Sequence, residues 1–367
     1  MYLALRDLRF AKGRFLLMGG VVALITLLLV LLSGLTAGLG NQSTSALAAL
    51  PADRIVFGAP AGETAKASFT ESEVSRGQLT EWAAREGVAR AGLLGISQGR
   101  FQAMGAGGAP SGTASVAVFG SEGGGAGMLS PVPVAEGTVV VGSTLARELD
   151  LQPGSSAAVG GTDLTVSAVV PDQWYAHTGV VWTTLGDWRK LAHLPGGDAA
   201  ATVIAVTAEE GAGPDAAAAD SAAGTTSTTR DGSFQALGSY KSENGSLLLM
   251  QAFLYGISAL VIVAFLTVWT VQRTRDVAVL RALGGSPAYI LRDAMVQAGV
   301  VLLAGAAAGG RAAAAGGALA AGAVPFLLTA QTTLVPVAGV VVLGLAGAAL
   351  AVRGIARVDP LLALGGN

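Results

Sequence analysis

Cysteine is absent from this chain, and histidine occurs only as His177 and His193. The first absence excludes a disulfide scaffold, a thiolate metal site and a cysteine nucleophile. The second leaves no basis for a histidine-rich metal centre, so no resident metal is expected. Charge is scarce too, at 13% of the 367 residues. A soluble globular chain carries about 25%, so long stretches face something other than water. The net charge of −2 gives no sign of a nucleic-acid partner, and none is expected.

Nucleotide-binding chemistry is missing as well. No G-x-x-x-x-G-K-[ST] run occurs, and the glycine-rich stretches 105–112 and 305–317 lack its lysine. No nucleophile elbow of the G-x-S-x-G kind is expected to present a serine. The chain itself is therefore not expected to be an enzyme, and any ATPase must be a separate chain.

What the sequence does contain is long runs without charge. Residues 16–40, 247–271 and 334–352 have none, and 294–328 is interrupted only by Arg311. About 20 apolar helical residues cross the hydrocarbon core of a bilayer. The run at 16–40 is too long for a signal-peptide core, although the small residues Ala37 to Gly40 keep that alternative open. Arg311 has two readings: its side chain snorkels to the outer headgroups, or it faces a polar cavity between helices.

Basic residues set the orientation. Arg6, Arg9, Lys12 and Arg14 precede the first run, Arg273, Arg275, Arg281 and Arg292 separate the second from the third, and Arg353 and Arg357 follow the fourth. The short connection around 329–333 has no Lys or Arg. By the positive-inside rule both termini and the middle loop are cytoplasmic, in a multi-pass protein of the cell membrane. The fold class is a membrane α-helical protein of four transmembrane helices, with a large extracytoplasmic α+β domain between helices 1 and 2. The predicted segments are a cytoplasmic amphipathic helix at 1–14, spans at 15–40, 247–272, 294–328 and 334–353, the domain at 41–246, a cytoplasmic elbow at 273–293 and a cytoplasmic tail at 354–367. In the first of these, Leu3, Leu5, Leu8 and Phe10 among basic residues suit the inner leaflet surface, so membrane lipid is a partner.

Within the domain, Thr70 to Glu73 has the form of a capping box, and a helix over 74–90 is predicted after it. Strands are predicted at 115–119, 138–141, 164–170, 180–183 and 202–207, with a short helix at 143–149 closed by a turn at 151–154. Residues 211–233 read as a mobile surface segment or an alanine-rich helix. Trp174, Tyr175 and His177 form the aromatic–histidine cluster of the domain. It reads as a loop anchored by aromatics or as a substrate or haem contact, since His and Tyr can ligate iron.

The segment 270–295 is the most informative. Val277, Leu280 and Leu283 continue a helical apolar stripe among arginines, and Gly284-Gly285-Ser286-Pro287 then breaks it. A short basic and apolar elbow of this kind is shaped to press into a partner's groove.

The run Arg273 to Ser286, RTRDVAVLRALGGS, resembles the signature of the FtsX-like permeases of the MacB type. The C-terminal ARVDPLLAL at 356–364 is similar to that family's ending, and VVVGSTLA at 139–146 with LQPG at 151–154 is similar to its strand, helix and turn. Near the N-terminus, KGRF at 12–15, LITLLL at 24–29, SGLT at 33–36 and STSAL at 43–47 resemble the haem-exporter branch of HrtB and DevC type. The resemblance implies a permease subunit of an ATP-driven (ABC) exporter, working as a homodimer with two copies of a cytoplasmic ABC ATPase. ATP and magnesium would sit on that partner, and no cofactor on this chain. Motion of the ATPase would enter through Arg281, Ala282, Leu283, Gly284, Gly285, Ser286 and Pro287 and pass outward by mechanotransmission along the second span. The implied substrate is a hydrophobic or amphipathic small molecule, with haem the leading candidate. Met250, Gln251 and Tyr255, at the outer end of that span, are the candidate substrate contacts. An FtsX-like transducer that regulates an extracytoplasmic partner, such as a cell-wall hydrolase, is the alternative.

Overall fold

The computed structural model describes residues 12–60, 62–105, 108–122, 129–192, 199–272, 286–320 and 324–355. The chain forms two units, Gly40–Glu243 and a membrane unit made of Met1–Leu39 with Asn244–Asn367.

Helix α1, Lys12–Ala48, is continuous through the first charge-free run and beyond it. The outer unit follows, in the order β1 Arg54–Phe57, β2 Val74–Ser75, α2 Arg76–Ala83, β3 Val88–Met104, β4 Pro110–Ser121 and β5 Thr138–Gly142. Next come α3 Ser143–Glu148, β6 Ser156–Val159, β7 Thr162–Val170, β8 Trp174–Tyr175, β9 Thr178–Thr184 and α4 Leu185–Leu191. The unit closes with β10 Ala199–Ala201, β11 Val203–Ala208, α5 Ala216–Ala223, β12 Thr226–Thr229 and a 3-10 turn, Gly232–Ala236.

Among the described residues ten strands share one mixed sheet, ordered β12-β1-β11-β3-β4-β9-β5-β7-β6 with β8 beside β9. Strand β6 also pairs with β3, placing Val159 opposite Phe101 and Ala157 opposite Ala103. That pairing closes β3, β4, β9, β5, β7 and β6 into a ring. Alternate strand residues point to opposite faces, and each face has its own apolar core. One core gathers Trp82, Leu93, Phe101, Val141 and Trp188. The other gathers Leu47, Ile55, Phe57, Phe119, Tyr175 and Trp182.

The capping box at Thr70 does not form. Ser75 caps α2 instead, accepting from the Gln78 N–H at 3.1 Å, while the Gln78 side chain accepts from the Ser75 N–H at 2.9 Å. The helix predicted over 74–90 is therefore short, and the chain from Val88 becomes the 17-residue strand β3. The physical reason is pairing: β3 takes ladder bonds from β11, β4 and β6, which no isolated helix could match. The segment 211–233 is ordered as α5 and β12, with Asp215 capping α5.

Two carboxylates stabilise the starts of helices. Asp187 is buried and accepts from the Gly137 N–H, the Thr184 hydroxyl and the Lys190 ammonium at 2.8, 2.9 and 2.8 Å. Burial alone would raise its pKa, but these hydrogen bonds outweigh it and hold the carboxyl below its ordinary 3.8. Asp172 is likewise lowered: burial opposes ionisation, and bonds from Thr144 and Ser143 overcome it. A depressed carboxyl stabilises the fold above its unfolded pKa, and that contribution disappears as pH falls through the folded value. Urea unfolding followed from pH 7 to pH 2 is therefore expected to show stability falling below about pH 4. Asp187→Asn is expected to flatten that acid slope and lower stability at pH 7.

The membrane unit adds α6 Gly238–Gln272, α7 Pro287–Ala320 and α8 Ala330–Ile355 to α1. Each of the four has a stretch long and apolar enough to span a membrane. Inside lipid every backbone polar group must be satisfied within the segment, which favours such unbroken helices. Val22, Leu29, Ile262, Leu266, Leu302, Ala306 and Val340 are buried between them, while Leu260, Leu303 and Leu350 face outward.

The third span ends earlier than its composition predicts. The composition predicts a helix to 328; among the described residues α7 runs to Ala320, and 324–329 forms a non-helical connection containing Pro325. Proline disfavours helix in the residue before it, and the freed backbone is satisfied in part by the Leu327 N–H donating to the Gly34 carbonyl at 3.1 Å. Helix α8 accordingly starts at Ala330, four residues before the predicted run. Pro287, read as part of a helix break, is the first residue of α7, where its missing N–H costs nothing. Residues 1–11, 273–285 and 356–367, which hold most of the predicted amphipathic helix at 1–14, elbow at 273–293 and tail at 354–367, and His193 lie outside the described residues.

Candidate functional site

The three candidate substrate contacts on α6 are not gathered on one face. Gln251 turns inward, and its amide donates to the Thr36 hydroxyl of α1 at 3.0 Å. Tyr255 packs its ring against Gly339 of α8 and belongs to the rim of the bundle core. Met250 points away from both and is 49% exposed. Successive helix residues are offset by about 100°, so Met250 and Gln251 cannot share a direction.

Beside them, Phe326 from the α7–α8 connection lies over Gly34 of α1 and Gly317 of α7, and the ring occupies the space that side chains there would fill. Thr329 closes the start of α8, its hydroxyl accepting from the Thr332 N–H at 3.1 Å. The Gln251–Thr36 hydrogen bond, the Tyr255 ring and the Phe326 plug thus stand in the half of the bundle next to the domain. Arg311 is exposed on α7, away from the buried face of that helix.

Of the predicted coupling residues, Arg281, Ala282, Leu283, Gly284 and Gly285 lie outside the described residues. Ser286 caps α7, and the Tyr289 N–H lies 3.2 Å from its hydroxyl oxygen and 3.1 Å from its carbonyl. One turn further, Asp293 accepts from the Gln297 amide at 2.9 Å. The other Asp293 oxygen is buried without a hydrogen-bond partner among the described residues, and Gln297 is fully buried. This pair was not read as a site from the sequence. Its signal was an acid and an amide four residues apart at the start of an apolar run.

Gly95-Ile96-Ser97-Gln98-Gly99 carries the letters of G-x-S-x-G. It lies in the middle of β3, not at a strand-to-helix turn. The Ser97 hydroxyl accepts the Trp188 indole N–H at 3.0 Å, so it is a packing contact and not an elbow.

The cluster at Trp174 to His177 is anchored by aromatic packing. Tyr175 is 5% exposed and makes edge-to-face contacts with Phe69 and Phe119. Burial pushes its phenol well above the ordinary tyrosine range, which disfavours the phenolate that would ligate iron. Ala176 and His177 form the two-residue turn between β8 and β9, with φ of 46° and 63°. Such turns favour Asn-Gly, and the left-handed conformation costs other residues about 1–2 kcal/mol each. The turn is held by its neighbours. The Ala176 and His177 N–H groups donate to the Ser43 and Gln42 carbonyls at 3.1 and 3.0 Å. The Trp174 N–H donates to the Ser45 hydroxyl at 2.9 Å. The His177 Nε2 lies 3.1 Å from the Ser43 hydroxyl and 2.9 Å from a Glu243 oxygen.

Four helices long and apolar enough to span a membrane, with an α+β domain inserted after the first, define a multi-pass membrane protein with one large domain outside the bilayer. A family profile described as MacB-like periplasmic core domain matches residues 15–223, and one described as FtsX-like permease C-terminal matches residues 248–360. The chain belongs to the family of FtsX-like permeases with a MacB-like periplasmic core domain. Similar proteins include two that carry the name hemin transport system permease protein HrtB. The one from Staphylococcus epidermidis is 26% identical over 144 residues, covering 39% of this chain and 41% of the relative. The one from Staphylococcus haemolyticus is 28% identical over 130 residues, covering 35% and 37%. The match thus spans about two-fifths of those relatives' length. Among solved structures, the extracellular domain of the ABC-type transporter YknZ from Gram-positive bacteria aligns with TM-score 0.34 and 12% identity, covering 48% of this chain and 99% of that one. The periplasmic region of MacB from Actinobacillus actinomycetemcomitans gives 0.34 and 9%, covering 51% and 92%.

Proposed function

We propose that the chain is the membrane subunit of an ATP-driven exporter. One observation carries this reading: the MacB-like match takes in the first span and the domain after it, and the FtsX-like match takes in the other three spans. On this reading the chain sits in the cell membrane with both termini and the elbow in the cytoplasm. Two copies pair with two copies of a separate ABC ATPase, which holds ATP and magnesium. The elbow residues Arg281 to Pro287 take up the ATPase's movement, and α6 conveys it outward as a stiff rod.

The substrate is a hydrophobic or amphipathic small molecule, and hemin leads because it stands in the names of three similar proteins. Met and Tyr are both axial ligand types for haem iron. Of the three contacts, Met250 alone is presented outward, so it is the first candidate to meet a ligand arriving along the lipid.

The test uses the full chain in lipid nanodiscs with its ATPase. Leu283→Asp in the elbow is expected to lower ATPase co-purification and stimulation at least tenfold while the chain stays folded. Because the native chain has no cysteine, Ser286→Cys also gives a clean topology probe. In intact cells it is expected to resist a membrane-impermeant maleimide. Labelling from outside, or unchanged stimulation with Leu283→Asp, overturns the reading. Hemin titration is expected to shift the Soret band, less so with Met250→Ala; no shift at micromolar hemin removes hemin as the substrate.

A further inference from the structure

The turn between β8 and β9 spends two left-handed positions on residues that disfavour them, Ala176 and His177. Asparagine and glycine would adopt the same turn with less strain. What the present residues place is an imidazole between two helices. Ser43 lies near the end of α1, and Glu243 lies near the start of α6. One nitrogen of His177 reaches both side chains. An N–H at Nε2 can donate to the carboxylate, with the serine oxygen close by as a second acceptor. Beneath the ring, three backbone N–H groups of the same hairpin donate into residues 42, 43 and 45 of α1. All these residues belong to the outer unit.

We infer that His177 is a positioning residue: it clasps the outer end of α1 to the start of α6, so that the two helices flanking the domain move as a pair. Strained backbone persists only where its surroundings over-determine it, and it concentrates at clamps and switches. Here the surroundings are the two helices themselves. The clasp goes beyond the exporter reading, and only its link to transport rests on that reading.

The experiment measures the gap directly. Asn41 and Lys241 are both exposed, and each is replaced by cysteine and spin-labelled in the otherwise cysteine-free full chain in nanodiscs. The native turn is expected to give one narrow distance distribution. The double change Ala176→Asn with His177→Gly keeps the turn, relieves its strain and removes the imidazole. It is expected to at least double the width of the distribution while the melting midpoint stays within about 3 °C, a range that leaves folding intact. His177→Gln, which retains a donor, is expected to recover most of the native width. An unchanged width in the Asn-Gly variant overturns the clasp, as does a broadening that Gln fails to reverse. With the ATPase present, the Asn-Gly variant is expected to keep its ATP hydrolysis and lose at least tenfold in hemin efflux. Broadening without loss of efflux overturns the paired movement in transport. No hemin efflux from the native complex overturns the hemin-export reading, and the distance widths still decide the clasp.

Discussion

Gly309→Leu is expected to prevent the membrane helices from packing, with loss of the folded protein from detergent extracts. A side chain built at Gly309 would overlap the carbonyl of Ala23, because α7 and α1 meet there backbone to backbone. Small residues permit such close approach in membranes, where packing replaces the hydrophobic drive. Overfilling a tight contact costs about 1–3 kcal/mol where side chains can yield. Here the obstacle is main chain, and α1 would have to move away. The control is Gly316→Leu on the same helix, where nothing lies within 4 Å of the added carbon. Thermal melts in detergent are expected to show a collapse for Gly309→Leu and little change for Gly316→Leu. Equal behaviour of the two would show that α1 and α7 do not meet at Gly309.

Trp82→Ala is the second large effect, and it falls on the outer unit. Trp82 is 0% exposed, and its indole N–H donates to the Thr225 hydroxyl at 3.0 Å. Thr225 in turn donates to Asp220 at 2.7 Å, so the ring links α2 to the end of α5 by packing and by a hydrogen-bond relay. Removing a buried tryptophan side chain costs about 3–5 kcal/mol, and total domain stability is about 5–15 kcal/mol. Urea melts followed by intrinsic fluorescence are expected to shift to much lower midpoints. Trp82→Phe is expected to recover most of the loss, since it restores volume and forfeits only the indole bond. A midpoint unmoved by alanine would contradict the packing described for α2.

The four helices were legible because exclusion of charge leaves a mark that no neighbour can erase: runs such as 247–271 stand out by composition alone. The end of the third was not, because the non-helical residues 324–328 are as apolar as the helix before them. In the outer unit the short β-branched strands were visible, whereas β3 was hidden. Its Gly92, Gly95, Gly99, Arg90 and Arg100 dilute the strand pattern, and its identity comes from three partner strands distant in sequence. The capping error has a similar origin. Thr70/Glu73 and Ser75/Gln78 both have capping-box spacing, and only the ladder pairing of Val74 with Ala201 decides between them.

For the site, the sequence supplied the α6 positions but not their directions. Thr36, the partner of Gln251, lies more than two hundred residues earlier, and no local pattern announces it. His177 stands in an aromatic cluster visible in the sequence, yet its partners Ser43 and Glu243 stand 134 and 66 residues away. Such contacts become visible only when the chain has folded back on itself.

The ring of six strands has a mechanical consequence. An open sheet relieves stress at its rim, by peeling an outer strand or sliding it one register step. A strand inside a closed circuit has no such freedom, since any slip must be accommodated by every other member at once. The pairing of Ala157 to Val159 with Phe101 to Ala103 therefore gives this part of the outer unit the character of a hoop, which resists shear and passes on an applied displacement instead of absorbing it.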